Sequence, residues 1–162
     1  MSRLLVVHHS PTATMRALTE AVLAGASDEA LEGVEVVARH ALEATAADAL
    51  DADGVLLGTP ANFGYMAGAL KHFFDSTFLE LGGALADDGS GAPAAGGKKP
   101  FGLYVHGRYD TEGAERSVLS IVGALPWRQS APVLSVLGDL TEEHRAAAYE
   151  LGGTIAALLM GP

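Results

Sequence analysis

Leu4-Leu5-Val6-Val7-His8-His9 runs without a break into Ser10-Pro11-Thr12-Ala13-Thr14-Met15. The apolar run reads as a buried strand over Leu4–His8. The residues that follow are small, hydroxyl-bearing and turn-prone. Met15, Leu18, Val22 and Gly25 then share one face at helical spacing, which predicts a helix over Thr14–Ala26. Strand, hydroxyl-rich turn and helix together make an anion site. The first amides of a helix lack internal partners, and its N-terminus carries partial positive charge. Thr12 and Thr14 add hydroxyl donors. The stretch reads as a cradle for a phosphate group.

The same alternation continues along the chain. Strands are expected at Val34–Arg39, Gly54–Gly58, Phe101–Val105 and Ala131–Leu137. Helices are expected at Ala46–Leu50, Ala67–Leu79, Glu112–Leu125 and Thr141–Met160. Thr141 is placed as the N-cap of the last helix, with Glu142 and Glu143 in its acidic first turn. Strands alternating with helices imply an α/β fold with a parallel sheet covered on both faces. Residues 82–99 are rich in Gly, Ala, Asp and Ser, with no apolar period, and read as a mobile surface loop. No internal repeat or domain boundary is visible, so residues 1–162 read as a single domain.

Composition narrows the function classes. The 162 residues are enough for one real core, and 49% hydrophobic content is ordinary for a globular chain. The net charge of −10 argues against nucleic acid and anionic membrane surfaces as partners, and suits a basic protein partner. The chain has no cysteine, so disulfides, zinc–thiolate sites and cysteine-ligated clusters are excluded. Redox chemistry would need a bound cofactor. The apolar runs at both ends are too short for a signal peptide or a membrane span, which leaves the cytoplasm as the expected compartment.

In an open parallel sheet, ligands bind beyond the carboxyl ends of the strands. The loop after the third strand is Gly58-Thr59-Pro60-Ala61-Asn62-Phe63-Gly64-Tyr65-Met66. Pro60 fixes a bend, Asn62 and Gly64 tolerate left-handed backbone, and Phe63 offers a face to a planar ring. The plain alternative is an ordinary strand-to-helix turn with a buried Phe. The loop after the fourth strand is His106-Gly107-Arg108-Tyr109-Asp110-Thr111-Glu112. Arg108 would hold anionic charge on a ligand, or else pair at the surface with Asp110 or Glu112. Tyr109 would cover a ligand or pack locally.

These loops, with Met66-Ala67-Gly68-Ala69-Leu70-Lys71-His72-Phe73-Phe74-Asp75, resemble the flavodoxin-like superfamily. The resemblance is strongest to the WrbA-like NAD(P)H:quinone oxidoreductases and related FMN reductases, which carry a Gly-Thr-Pro-x-x-Phe-Gly-x-Met signature. It implies a three-layer sandwich, a five-stranded parallel sheet of order 2-1-3-4-5, and FMN, with NAD(P)H as a transient donor. It implies that Ser10, Thr12, Ala13, Thr14 and Met15 hold the FMN phosphate. Pro60, Ala61, Asn62, Phe63 and Gly64 would line the ring, and His106, Gly107, Arg108 and Tyr109 would approach its pyrimidine side. Ala13 stands where the family commonly has glycine, and Ala61-Asn62 where it has Thr-Arg. The segment that helps those oxidoreductases form tetramers has no counterpart, so a homodimer is the assembly left open.

Rival signatures are missing. The first strand is not followed by Gly-x-Gly-x-x-Gly, and no P-loop or Gly-x-Ser-x-Gly elbow occurs. His8 and His9 are adjacent strand residues, which point to opposite faces and do not readily chelate one ion. Trp127 reads as an anchor at the bottom edge of the sheet, and His144 as a solvated helix residue. Three functions stay open: an NAD(P)H-dependent reductase of a quinone, flavin or other small acceptor; a flavodoxin-type carrier between protein partners, one of them a basic redox protein; and a domain that has lost FMN.

Overall fold

A computed structural model describes residues 1–92 and 98–162. Apolar runs form β1 (Ser2–His8), β2 (Val34–His40), β3 (Gly54–Asn62) and, after the short β4 (Tyr65–Met66), β5 (Ala84–Leu85) and β6 (Gly91–Ala92), the long β7 (Lys99–Gly107). Two short strands follow, β8 (Trp127–Gln129) and β9 (Leu134–Leu137). The helices are α1 (Ala13–Ala26), α2 (Ala46–Asp51), α3 (Gly68–Thr77), α4 (Glu112–Val122) and α5 (Glu142–Ala157).

The main sheet runs β2-β1-β3-β7-β8, with β9 also paired to β7. Apart from β4, all of its pairings are parallel. This is the expected 2-1-3-4-5 order, with β7 as the fourth strand and β8 and β9 sharing the fifth position. The strand expected over Ala131–Leu137 is shortened to β9, Leu134–Leu137, and an unexpected strand, β8, precedes it. β8 pairs with the foot of β7 from Lys99 to Phe101, and β9 with its top from Tyr104 to Gly107. Pro132, which has no amide to give to a ladder, lies between them. Trp127 is buried at the foot, its ring 6.3 Å from that of Phe101, as an edge anchor should be.

Successive strand residues face opposite layers, so each continuous apolar run feeds two cores. Leu5, Val7, Val55, Leu57, Leu103 and Val105 pack with α3 and α4 through Leu70, Phe73, Phe74, Ala114 and Val118. Leu4, Val6, Leu56 and Tyr104 pack with α1 and α5 through Met15, Leu18, Val22, Leu151 and Ile155. The result is three layers. The two helices of the second core approach closely at glycines. A β-carbon on Gly25 would lie 1.8 Å from the Tyr149 carbonyl oxygen, and one on Gly152 2.0 Å from that of Val22.

The expected mobile loop over residues 82–99 includes 93–97, which lie outside the described residues. Its described part carries the antiparallel pair β5–β6, which the sequence reading did not foresee. Among the described residues no helix is long and apolar enough to cross a membrane.

Candidate functional site

The first loop leaves the top of β1 between β2 and β3. The His9 amide donates to the Gly58 carbonyl at 3.0 Å, which fixes where the chain turns. Thr12 is the N-cap of α1, and its Oγ1 accepts from the Met15 amide at 3.2 Å. The helix thus begins at Ala13, one residue before the expected start. Pro11 has no amide, and the amides of Ser10, Thr12, Ala13 and Thr14 have no hydrogen-bond partner among the described residues. Thr12 still has its hydroxyl proton to give. Ala13 stands at negative φ, so the position does not demand glycine. Met15 differs from its neighbours: its amide is taken by Thr12 and its side chain is buried in the core.

The Ser10 hydroxyl turns inward instead of standing free. It lies 2.8 Å from His8 Nδ1 and 2.9 Å from Thr19 Oγ1, and Thr19 Oγ1 lies 2.7 Å from the Tyr104 hydroxyl. Tyr104 reaches α1 across β3 because Gly58 has no side chain; a β-carbon there would sit 2.1 Å from the tyrosine ring. Burial pushes the Tyr104 phenol well above its ordinary range. On the other side of the loop, both His8 and His9 meet His40 of β2 edge-on, at 6.0 and 5.1 Å between ring centres. His9 has already left the strand, so the expected opposite orientations do not apply to it. His9 Nδ1 and His40 Nε2 are 3.0 Å apart, and His40 Nδ1 accepts from the Leu42 amide at 3.2 Å. Burial and, after it, His40 hold both His8 and His9 below the usual imidazole pKa. No group of three or more His, Cys, Asp or Glu among the described residues is arranged to hold a metal ion.

The second loop is a β-hairpin. β3 runs on past the expected end at Gly58 to Asn62, and β4 returns beside it, with Ala61 opposite Met66 and Asn62 opposite Tyr65. The two residues of the turn, Phe63 and Gly64, have φ of 51° and 77°. Two left-handed residues in succession give a hairpin turn whose twist matches that of the strands. The left-handed position expected at Asn62 therefore falls on Phe63. Its ring is wholly exposed, at 109%. This excludes the plain reading of a buried Phe. Thr59, fully buried, latches the hairpin: its Oγ1 donates to the Pro60 carbonyl at 2.8 Å and accepts from the Ala67 amide at 2.9 Å. The tip rests on α4, where a β-carbon on Gly113 would lie 2.0 Å from the Gly64 carbonyl oxygen.

The third loop abuts the second. A β-carbon on Gly107 would lie 2.2 Å from the Asp110 carbonyl oxygen and 3.2 Å from the Ala61 methyl. His106 Nε2 donates to the Gly138 carbonyl at 2.8 Å. Arg108 pairs at 2.8 Å with Asp139, not with Asp110 or Glu112 as expected. Asp110 instead accepts from the Glu112 amide at 2.9 Å and closes the start of α4. Tyr109 is 89% exposed, so it does not pack locally. The structure thus brings the first, second and third loops to one carboxyl edge. It also recruits Thr19, His40, Thr59, Tyr104 and Asp139, which the sequence reading missed. Of these, only Thr59 lay inside a motif that could have signalled it.

No protein-family model matches the chain. It is 38% identical over 85 residues to a flavodoxin of Aquifex aeolicus (strain VF5), covering 52% of this chain and 45% of that protein. It is 31% identical over 97 residues to an NAD(P)H dehydrogenase (quinone) of Acidithiobacillus ferrooxidans (strain ATCC 53993 / BNL-5-31), covering 48% of each. The matched stretch spans about half the length of these curated relatives. The solved structure of a flavodoxin from the domain Archaea superposes with a TM-score of 0.79 at 18% identity, over 98% of this chain and 99% of that one.

Proposed function

We propose that this chain, whose fold is flavodoxin-like, binds FMN at the carboxyl edge of its sheet and acts as an oxidoreductase, passing electrons from NAD(P)H to a quinone, a flavin or another small acceptor. The observation that carries this is Phe63: a bulky residue held on left-handed backbone, its ring in solvent, at the tip of the hairpin that rests on α4. Bulky residues on such backbone cluster at ligand clamps and active sites.

The residues present fit FMN. The amides of Ser10, Thr12, Ala13 and Thr14 and the Thr12 and Thr14 hydroxyls suit its phosphate. A hydrogen bond to a charged group contributes about 1.5–3 kcal/mol, against about 0.3–1 kcal/mol for the helix dipole. The amides, not the dipole, would therefore dominate. Phe63 would stack on the ring, with Pro60, Ala61, Asn62 and Gly64 along its edge. His106, Gly107, Arg108 and Tyr109 would close the pyrimidine side. Arg108 can leave Asp139 for a ligand at little cost, because an exposed ion pair is worth about 0–1 kcal/mol. Met15 would support the loop from the core. FMN, when bound, supplies the electron transfer; the chain supplies grip, orientation and local charge. We read residues 1–162 as one domain, since a single large sheet organises both cores.

A second reading, a flavodoxin-type carrier serving a basic redox protein, is favoured by the exposed carboxylates Asp110, Glu112, Asp139 and Glu142 near the third loop. Anaerobic mixing of FMN-loaded protein with NADPH separates the two. The enzyme reading expects the yellow absorbance to bleach and to return on adding a quinone. The carrier reading expects no bleaching until a partner reductase is supplied, at a rate that falls with salt. Failure of both would overturn the oxidoreductase proposal.

A further inference from the structure

We propose that His8 decides whether the Ser10 hydroxyl is free to donate to an anion at the head of α1. The inference rests on the reading that this loop takes the phosphate of FMN.

Three hydroxyls and one imidazole form a chain with three links: Tyr104 to Thr19 at 2.7 Å, Thr19 to Ser10 at 2.9 Å, and Ser10 to His8 Nδ1 at 2.8 Å. Each hydroxyl has one proton to give and can accept twice. When His8 Nδ1 is bare it can only accept. Ser10 must then donate to it, Thr19 to Ser10, and Tyr104 to Thr19. All three protons are spent inside the protein, and Ser10 has nothing for a ligand. When Nδ1 carries a proton it donates to Ser10. Ser10 can then accept from both His8 and Thr19, which frees its own proton for an anion outside.

The surroundings disfavour a doubly protonated His8 in the absence of an anion, and the silent state is then the ring's Nε2–H tautomer. From β2, His40 faces His8 edge-on, and its Nε2 meets His9 Nδ1 at 3.0 Å. From β3, Gly58 lies beside His8 and carries no side chain. From α1 comes Thr19, and from β7 Tyr104. The permanent cation in the first turn of α1, Arg16, donates to the Pro11 carbonyl at 3.1 Å. Burial, and after it His40 and His9, lower the His8 pKa and so disfavour its charged form. A phosphate dianion beside Ser10 acts in the opposite sense and draws a proton to Nδ1.

Ring 15N NMR of His8 at pH 7.5 reads this directly. We expect a bare Nδ1 in the free protein, a protonated Nδ1 with saturating FMN, and no change with riboflavin, which lacks the phosphate. Saturation with FMN while Nδ1 stays bare would overturn the proposal and leave FMN binding intact. Failure to bind either flavin would remove the phosphate reading and this inference together. Affinities give a second arm above pH 7, where the FMN phosphate is mostly dianionic. The wild-type preference for FMN over riboflavin should fall as pH rises. Ser10→Ala should lower that preference roughly tenfold at pH 7 and flatten its pH dependence. His8→Asn, whose amide offers a donor to Ser10 at every pH, should hold the preference high and flat. A His8→Asn variant that keeps the wild-type slope would contradict the mechanism.

Discussion

Phe63 holds a backbone conformation that costs an ordinary side chain about 1–2 kcal/mol. Asparagine followed by glycine is the preferred pair in such a turn. Phe63→Asn should therefore raise thermal or denaturant stability by about 0.5–1 kcal/mol while weakening FMN binding at least roughly tenfold. A variant that is both less stable and equally flavin-binding would refute this account of the tip. The histidines make a separate prediction. His8 and His9 have depressed folded-state pKa values, so the unfolded chain binds more protons than the folded one in acid. Their contribution to stability is complete above the ordinary imidazole pKa and is lost as pH falls through the folded values. Denaturant midpoints of the FMN-free protein should drop between pH 7.5 and 5.5, and His8→Asn should reduce the drop. Single residues were legible where chemistry was local, as at Thr12 and Gly64. Asp139 and Tyr104 were not, because their partners Arg108 and Thr19 are 31 and 85 residues away.

Helix starts were readable because capping is a short-range pattern. Thr141 caps α5 as expected, and His144, partly exposed, does more than meet solvent. Its Nδ1 accepts from the Thr141 amide at 3.0 Å and completes a capping box. Thr45 and Asp48 form a second box at α2. Thr45→Ala should cost about 1 kcal/mol in denaturant unfolding. Strand ends were less legible. The extension of β3 into a hairpin depends on the buried Thr59 latch and on α4 beneath the tip, neither of which has a local signature. The α1–α5 contact shows how small residues set helix spacing. Gly152→Ala would drive a methyl into the Val22 carbonyl, so the helices must separate. We expect a loss of about 1–3 kcal/mol, roughly 2–12 °C in Tm, with the hairpin unchanged. An unaltered melting temperature would show that the contact is looser than described.

Alternating apolar runs and amphipathic segments showed a parallel sheet covered on both faces, whereas the order of its strands was anticipated through the resemblance that the loop motifs carry. The meeting of the three loops at one carboxyl edge follows from that order. What sequence could not supply was how three loops share one edge: Gly107 under Ala61, Gly113 under Gly64, and Ser10 tied inward to Tyr104. The net charge of −10 acts on the molecule as a whole. It disfavours the phosphate electrostatically, so FMN should bind tighter as salt screens that repulsion, whereas docking of a basic partner should weaken. The account depends above all on free amides at the head of α1 and the bare ring of Phe63 gripping one ligand together. Titrating the protein into FMN and into riboflavin, followed by flavin fluorescence, tests this most directly. We predict saturable quenching by the wild type, at least roughly tenfold tighter for FMN than for riboflavin, with Phe63→Ala weakening both. Flavin fluorescence that stays unchanged at every protein concentration would contradict it.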